Sequence, residues 1–489
     1  MADTTRTTTT ASSTSTTDIT ADPTGLPVVV IGAGPVGLAA AAHLVERALD
    51  PLVLEAGPEV GAAIRAWGHT RLFSPWRYNV DAAAARLLEP TGWVTPDPEA
   101  LPTGTELVEQ YLQPLAATEA LAHRIRTGAR VIAVSRDGMD KTRTAGRLDT
   151  PFLVRIAHAD GTVEDLRARA VLDASGTWAQ PNPLGQAGLE APGEAAARAA
   201  GTITAPLPDV LGADRARFAG QHVLVVGAGH SAANTLLELG ALAQDTPGTR
   251  ISWAVRSADV TRVYGGEDRD ELAARGALGS RLRQLVEAGT IQVHPSFTIN
   301  AFTPTGLGMM VRASTPAGEE RLVVDVVVPA TGFRPELGML SELRLDLDPA
   351  VEAPRRLGPL IDPEFHSCGS VAPHGEKMLA HPEPGFYIVG MKSYGRAPTF
   401  LMATGYEQVR SIAAALAGDQ AAADHVELEL PETGVCSTDL GGSCDVPTPV
   451  ADTANQGCCT PAPTTASIDI PSTPATAPVL LPVRAPACC

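Results

Sequence analysis

Four apolar residues, Val28 to Ile31, open the patterned part of the chain, and their β-branched character marks a buried strand. Glycines follow at 32, 34 and 37. A helix-like run, Leu38 to Ala48, leads to a second apolar run, Pro51 to Leu54, which ends in Glu55. The same order of devices recurs two hundred residues on. A strand pattern at Val223 to Val226 precedes Gly227, Gly229 and Ala232, a helical pattern follows, and a second strand, Ile251 to Val255, ends in Arg256. Between the repeats, Thr105 to Leu121 has helical apolar spacing, interrupted at Pro114, where a kink or split is expected. Runs at Ala129 to Val134, Phe152 to Ala157 and Leu166 to Leu172 predict a β-meander returning to the sheet.

Each part of the first repeat has a physical task. Gly32 allows a tight turn, Gly34 lets the backbone approach a pyrophosphate, and Gly37 lets the helix pack close on the strand. The helix N-terminus offers free N–H groups to phosphate oxygens. Glu55 suits a ribose diol, whereas Arg256 at the same place in the second repeat suits a 2′-phosphate. The expectation is a non-phosphorylated adenosine, as in FAD, at the first site and NADPH at the second. The plain alternative for Arg256 is a solvated strand end.

Two small-residue turns look alike. Asp173-Ala174-Ser175-Gly176-Thr177 closes one apolar strand and Ala330-Thr331-Gly332 another, as needed where a chain passes near a bound cofactor. Gln180 to Pro183 breaks structure after the first turn. Arg281 to Ala288 reads as a short helix and Thr290 to Val293 as a strand. Gly385 to Met391 reads as a last buried strand, and Met402 to Leu416 as a helix aimed at the cofactor. These patterns give a leader at 1–25, a first domain at 26–183 and 319–420, a second domain inserted at 184–318, and a tail at 421–489. The segment Gly61 to Val80 gathers Trp67, Trp76, Tyr78 and Phe73 with Arg65, His69, Arg71 and Arg77, and is a candidate pocket wall against the alternative of a packed loop.

Charge and composition narrow the partners. With 489 residues the chain can build two or three cores, and a net charge of −18 argues against nucleic acid. No apolar run is long enough for a membrane span. The Thr/Ser-rich leader lacks the features of a secretory signal and is expected to be disordered, as is the Pro/Thr/Ala-rich tail. Of seven cysteines only Cys368 precedes residue 436, which fits a reducing cytoplasm. The tail carries vicinal pairs, Cys458-Cys459 and Cys488-Cys489, beside Cys436 and Cys444. Adjacent thiolates suit a soft, thiophilic metalloid, and passive tail cysteines are the alternative. Cys368, near His366, His374 and His381, is more often a small buried hydrophobe than a reactive group. A small-molecule substrate is expected; oligomeric state is open, a homo-oligomer included.

The two fingerprints and the two small-Thr/Ser-Gly crossings resemble the flavoproteins with two dinucleotide-binding domains, which include thioredoxin-reductase-like enzymes and flavin-containing monooxygenases. The resemblance covers residues 26–418 and implies an α/β fold: a Rossmann-like FAD-binding domain interrupted by a Rossmann-like NADPH-binding domain. It implies hydride transfer from nicotinamide to flavin. It assigns Gly32, Gly34, Gly37 and Glu55 to FAD, with Ser175, Gly176, Thr331, Gly332 and Gly390 at the crossings and the last strand. Gly227, Gly229, Ser231, Ala232 and Arg256 fall to NADPH. The redox-active cysteine pair of the disulfide reductases has no counterpart before Cys368, which favours passing electrons to oxygen and oxygenating a soft nucleophile or metalloid compound. The monooxygenases' F-x-G-x-x-x-H element is not recognisable in 200–219, and the usual Gly-Asp after the last strand is Gly390-Met391. GHTRLFSPWRYNVD, FHSCG, PHG and GFYIVGMKSYGRAPTF look like flavoproteins encoded in bacterial arsenic-resistance clusters (the ArsO type). A reductase or oxidase feeding the tail thiols, or a metalloid-binding protein that keeps the flavin fold as a scaffold, are the alternatives.

Overall fold

The computed structural model describes residues 25–264, 273–364, 371–398 and 400–428. The expected leader, Cys368 and all the tail cysteines lie outside these residues.

The strands, in chain order, are β1 (Val28–Ile31), β2 (Pro51–Leu54), β3 (Ile125–Arg126), β4 (Ala129–Arg136), β5 (Phe152–His158), β6 (Val163–Ala168) and β7 (Ala170–Asp173). There follow β8 (His222–Val226), β9 (Arg250–Ala254), β10 (Ile291–His294), β11 (Thr298–Thr305), β12 (Gly308–Thr315), β13 (Gly318–Val324), β14 (Val326–Pro329) and β15 (Phe386–Ile388). They form a five-stranded sheet ordered β15-β7-β1-β2-β3, a four-stranded sheet ordered β10-β9-β8-β14, and two antiparallel meanders, β4-β5-β6 and β11-β12-β13. All pairs in the two larger sheets are parallel. Such sheets are covered on both faces, so their strands read as unbroken apolar runs. β1, β7, β8 and β14 are buried at every position.

The apolar run Leu166 to Leu172 is divided between two sheets. β6 closes the meander and β7 enters the parallel sheet, with the change at Arg169, whose N–H donates to the Pro27 carbonyl at 3.0 Å. The helical stretch that holds Pro114 begins at Gly104, under a Thr103–Glu106 capping box, and ends at Ala116 rather than Leu121. Its middle, Val108–Leu112, is a π-helical turn. Proline lacks the N–H that a regular turn needs, and the wider turn absorbs that loss without a break.

Several further boundaries differ from expectation. β14 pairs with β8, Val326 opposite Val223, so the inserted unit runs to about residue 330 and not 318. The last strand is only Phe386–Ile388, because Gly390 adopts φ +67° and Gly390–Tyr394 coils into a 3-10 turn. Structure also continues past 420: helix Gln420–Asp424 packs back, with Ser411 Oγ donating to the Ala423 carbonyl at 2.7 Å. The helix expected at Arg281 to Ala288 spans Ala273–Glu287.

A buried ion cluster ties the first meander to the approach to β15. Glu383 accepts from Arg136 Nε at 2.8 Å and from Arg147 Nη2 at 2.9 Å. Burial alone would raise the Glu383 carboxyl, and the two guanidinium groups overcome that and hold it below its ordinary range.

Candidate functional site

The helix Pro35–Glu46 starts directly at the end of β1. Its first residue is proline, whose missing N–H would have been unpaired there in any case. The three fingerprint positions behave differently. Gly32 takes φ +101°, and a Cβ there would stand 2.8 Å from the Ala174 carbonyl oxygen. A Cβ at Gly37 would collide with the Gly32 carbonyl oxygen. A Cβ at Gly34 would meet nothing within 4 Å. Two glycines are thus dictated by packing, and the third faces open space at the helix N-terminus, where a pyrophosphate fits.

The second fingerprint repeats this. Gly227 takes φ +132° and a Cβ would collide with the Ala330 carbonyl oxygen, whereas one at Gly229 would meet nothing within 4 Å. Gly229 caps helix His230–Asp245, Ser231 lies in its first turn, and Ala232 is fully buried against the core. Arg256 is exposed just beyond β9.

Glu55 stands at the end of β2. Its carboxylate accepts from Ala33 N–H and Gly57 N–H, both at 2.7 Å. Those bonds fix its orientation beside the fingerprint, and each oxygen keeps a second lone pair for a ribose hydroxyl.

The two crossings pair with one another. Asn182 N–H donates to the Gly332 carbonyl and Arg334 N–H to the Gln180 carbonyl, both at 2.9 Å. Thr331 Oγ1 donates to the Asn182 carbonyl at 2.7 Å, so its hydroxyl serves the crossing. Trp178 and Phe333 stack with ring centroids 5.1 Å apart. Gly176 and Gly332 take φ +70° and +80°, which explains the small residues there.

Gly390 and its surroundings hold what the sequence pattern left unassigned. The Gly390 N–H donates to Gln408 Oε1 at 2.8 Å, and Gln408 Nε2 donates to Ser393 Oγ at 2.9 Å. Gln408 Nε2 also reaches His374 Nε2 at 2.9 Å, while His374 Nδ1 lies 3.1 Å from the Ala372 carbonyl. That pattern requires neutral His374 with its proton on Nδ1, and burial pushes its pKa down accordingly. Next in the turn, Lys392 is wholly buried. Its Nζ is 2.7 Å from Asp173 Oδ2 and 3.1 Å from Ser175 Oγ. Lys392 is one of three lysines among 37 basic residues, and its place in an otherwise apolar stretch is the one signal the sequence offers.

Helix Met402–Leu416 begins beside the first helix: a Cβ at Gly405 would strike Val36 Cγ2 at 2.5 Å. Both N-termini therefore share the C-terminal edge of the first sheet, where open parallel sheets take ligands.

The Gly61 to Val80 segment is packed mainly by its own domain. Arg65 pairs with Glu109 at 2.8 Å, Arg71 bonds the Leu101 carbonyl, Arg77 pairs with Glu99, and Trp76 is buried. Its three arginines are committed to acids and carbonyls. Phe73 reaches across to His230, the first residue of the second fingerprint helix, with centroids 5.1 Å apart.

Two dinucleotide folds, one inserted in the other through paired crossings, define a two-site nucleotide oxidoreductase. The chain belongs to the pyridine nucleotide-disulphide oxidoreductase family, whose model matches residues 29–355. A bifunctional thioredoxin reductase/thioredoxin of Mycobacterium leprae (strain TN) is 26% identical over 322 residues, 66% of this chain and 54% of that protein. The chain thus spans about half the length of that relative. Among solved structures, a bacillithiol disulfide reductase from Bacillus cereus matches with TM-score 0.59 and 20% identity, covering 80% of this chain and 99% of that one. An ornithine hydroxylase from Pseudomonas aeruginosa matches with TM-score 0.54 and 16% identity over 81% and 99%. A cadaverine monooxygenase from Erwinia amylovora, solved with FAD, matches with TM-score 0.54 and 13% identity over 84% and 99%. Reductases and monooxygenases share this backbone, so the fold alone does not choose between them. No helix among the described residues is long and apolar enough to cross a membrane. Nor does any group of three or more His, Cys, Asp or Glu among them suit a metal ion.

Proposed function

We propose that this chain is an NADPH-dependent flavoprotein monooxygenase acting on a small soft nucleophile or metalloid compound. The observation that carries the reading is the cysteine distribution: residues 1–367 contain none, so the redox-active pair that disulfide reductases carry in the first part of the flavin domain or in the inserted domain has no counterpart at those positions. Bound FAD would accept a hydride from NADPH and pass the electrons to oxygen. The chain's own residues bind and orient. Gly34 and the first helix N-terminus take the FAD pyrophosphate, and Glu55 takes the adenosine ribose. Gly229 and the His230–Asp245 helix take the NADPH pyrophosphate, and Arg256 takes its 2′-phosphate. An arsenical substrate fits the likeness to the arsenic-cluster flavoproteins and the soft tail thiols.

The test supplies NADPH and 18O2 with a thioether, an amine or arsenite. The expected result is one labelled oxygen in the product per NADPH oxidised, with the other oxygen atom released as water. NADPH oxidation that yields only hydrogen peroxide with every acceptor, and no labelled product, overturns the reading.

The vicinal pairs Cys458-Cys459 and Cys488-Cys489 favour a second reading, a reductase that delivers electrons to tail thiols or a metalloid bound to them. Deleting residues 431–489 separates the two. The monooxygenase keeps its turnover, the tail-dependent reductase loses it, and a sequestering protein loses only binding.

A further inference from the structure

The Lys392–Asp173 pair is charged, buried and outside the roles assigned above. Both side chains have no exposure, and the two residues are 219 apart in the chain. Removing two charges from water is expensive, and an apolar pair of similar size is often as stable or more so. The pair's position is therefore informative. Asp173 ends β7, in register with Ile31 of β1 and Ile388 of β15. Lys392 lies in the turn that follows β15. Along the sheet the order is β15-β7-β1-β2, with Glu55 at the end of β2 and the fingerprint at the end of β1. A dinucleotide with its ribose at Glu55 and its pyrophosphate at Gly34 runs its other half toward β7 and β15. The pair stands at those same two strand ends.

One residue connects the pair to the cleft. Ser175 is exposed, and its Cα would be 3.1 Å from a Cβ on Gly32. Its hydroxyl donates to Asp173 Oδ1 at 2.6 Å and accepts from Lys392 Nζ at 3.1 Å. Its N–H also donates to Asp173 Oδ1, at 3.1 Å. With its only hydroxyl proton committed inward, Ser175 can offer the cleft nothing but an acceptor lone pair. The ammonium polarises that oxygen from below.

We infer that Lys392 and Asp173 are positioning residues that hold Ser175 as an acceptor for the flavin half of FAD and set the flavin's reduction potential by their opposed charges. This rests on FAD occupying the first dinucleotide fold. Reduction places extra negative charge on the flavin, so a nearby cation favours the reduced form and a nearby anion the oxidised form. The balanced pair leaves the potential between those limits.

The experiment measures flavin midpoint potential and FAD dissociation constant in the full chain. Lys392→Met leaves Asp173 uncompensated and should weaken reduced relative to oxidised FAD about tenfold, a fall of about 30 mV for a two-electron couple. Asp173→Asn leaves Lys392 uncompensated and should shift the potential upward by a similar amount. The double variant should return toward the parent. A merely structural role predicts no such opposition of sign. Potentials that stay at the parent value, or that move in the same direction in both single variants, overturn the inference. Where a buried lone charge prevents folding, Ser175→Ala buries none and decides instead. It should weaken FAD binding about fivefold, and an unchanged dissociation constant and potential overturn the inference. A parent protein that binds no FAD sinks the cofactor assignment and this inference together. FAD bound at one potential in every variant sinks this inference alone.

Discussion

A methyl group at Gly37 would run into the carbonyl oxygen of Gly32, while one at Gly34 would enter open space. Two neighbouring glycines of one motif should therefore fail in different ways. Gly34 has φ −80° and ψ −174°, extended backbone that any residue adopts. Gly34→Val should melt within about 1 kcal/mol of the parent yet retain at least tenfold less FAD, read from flavin absorbance after gel filtration. Gly37→Ala should destabilise by roughly 1–3 kcal/mol, because helix and strand must separate to admit it. Equal melting curves for the two variants would refute the division of labour. A histidine shows a second residue-scale effect. His381 is buried beside Phe386, accepts from Asp346 N–H at 3.2 Å, and has Nε2 without a partner among the described residues. Burial pushes its pKa down from 6.5 to about 4. The unfolded chain then binds a proton that the folded chain refuses, so this contribution is complete above pH 6.5 and is lost as pH falls toward 4. The loss is at most on the order of 3 kcal/mol. His381→Asn keeps an acceptor for Asp346, and its urea midpoint should fall less steeply with acid than the parent's. The fingerprint glycines and Glu55 were legible because local spacing dictates them. Lys392 with Asp173, and Gln408 with His374, were not, since each pair is assembled from elements apart in the chain and only the fold brings it together.

At the scale of elements, patterning was a good guide wherever a strand was buried on both faces, because such strands carry no polar interruption. It failed where one apolar run serves two sheets, as β6 and β7 do across Arg169, and where a backbone conformation ends a strand early, as Gly390 does at φ +67°. The end of β9 carries a prediction of its own. Arg256 is exposed just beyond β9, and the proposed function gives it the 2′-phosphate of NADPH. A charge-assisted hydrogen bond to a 2′-phosphate contributes about 1.5–3 kcal/mol. Arg256→Gln should thus raise KM for NADPH roughly 10- to 100-fold and leave KM for NADH nearly unchanged. Exposure makes the interaction screenable, so the gap between the two nucleotides should also narrow with salt in the parent. Equal losses for both nucleotides would show that Arg256 supports the strand end and reads no phosphate.

For the whole molecule, the decisive feature is that the two crossings lie side by side. Asn182 N–H bonds the Gly332 carbonyl, and Pro181 bridges Phe333 in antiparallel fashion, so the chain leaves and re-enters the first domain at nearly the same point. Repetition of the fingerprint made the insertion visible in the sequence. Its far end was not, because the apolar run after residue 320 reads equally well as a strand of either sheet, and only the pairing of Val326–Pro329 with Val223–Val226 assigns it to the second. This yields a prediction about autonomy. A fragment of residues 184–330 keeps all four strands of its parallel sheet and the β11-β12-β13 meander, and should fold alone with a cooperative melt. The shorter fragment 184–318 loses β14 and nearly all of β13, exposes β8 as an edge, and should not. The complementary protein, with 184–330 replaced by a few glycines, joins ends that already stand a strand spacing apart. It should keep FAD, because the Glu55 and Gly34 sites and the Lys392–Asp173 pair all lie outside the excised segment. It should not be reduced by NADPH, although dithionite should still reduce it. A cooperative melt for 184–318, or loss of FAD from the excised protein despite a native melt, would mean that the boundary between the two nucleotide sites does not fall at the paired crossings.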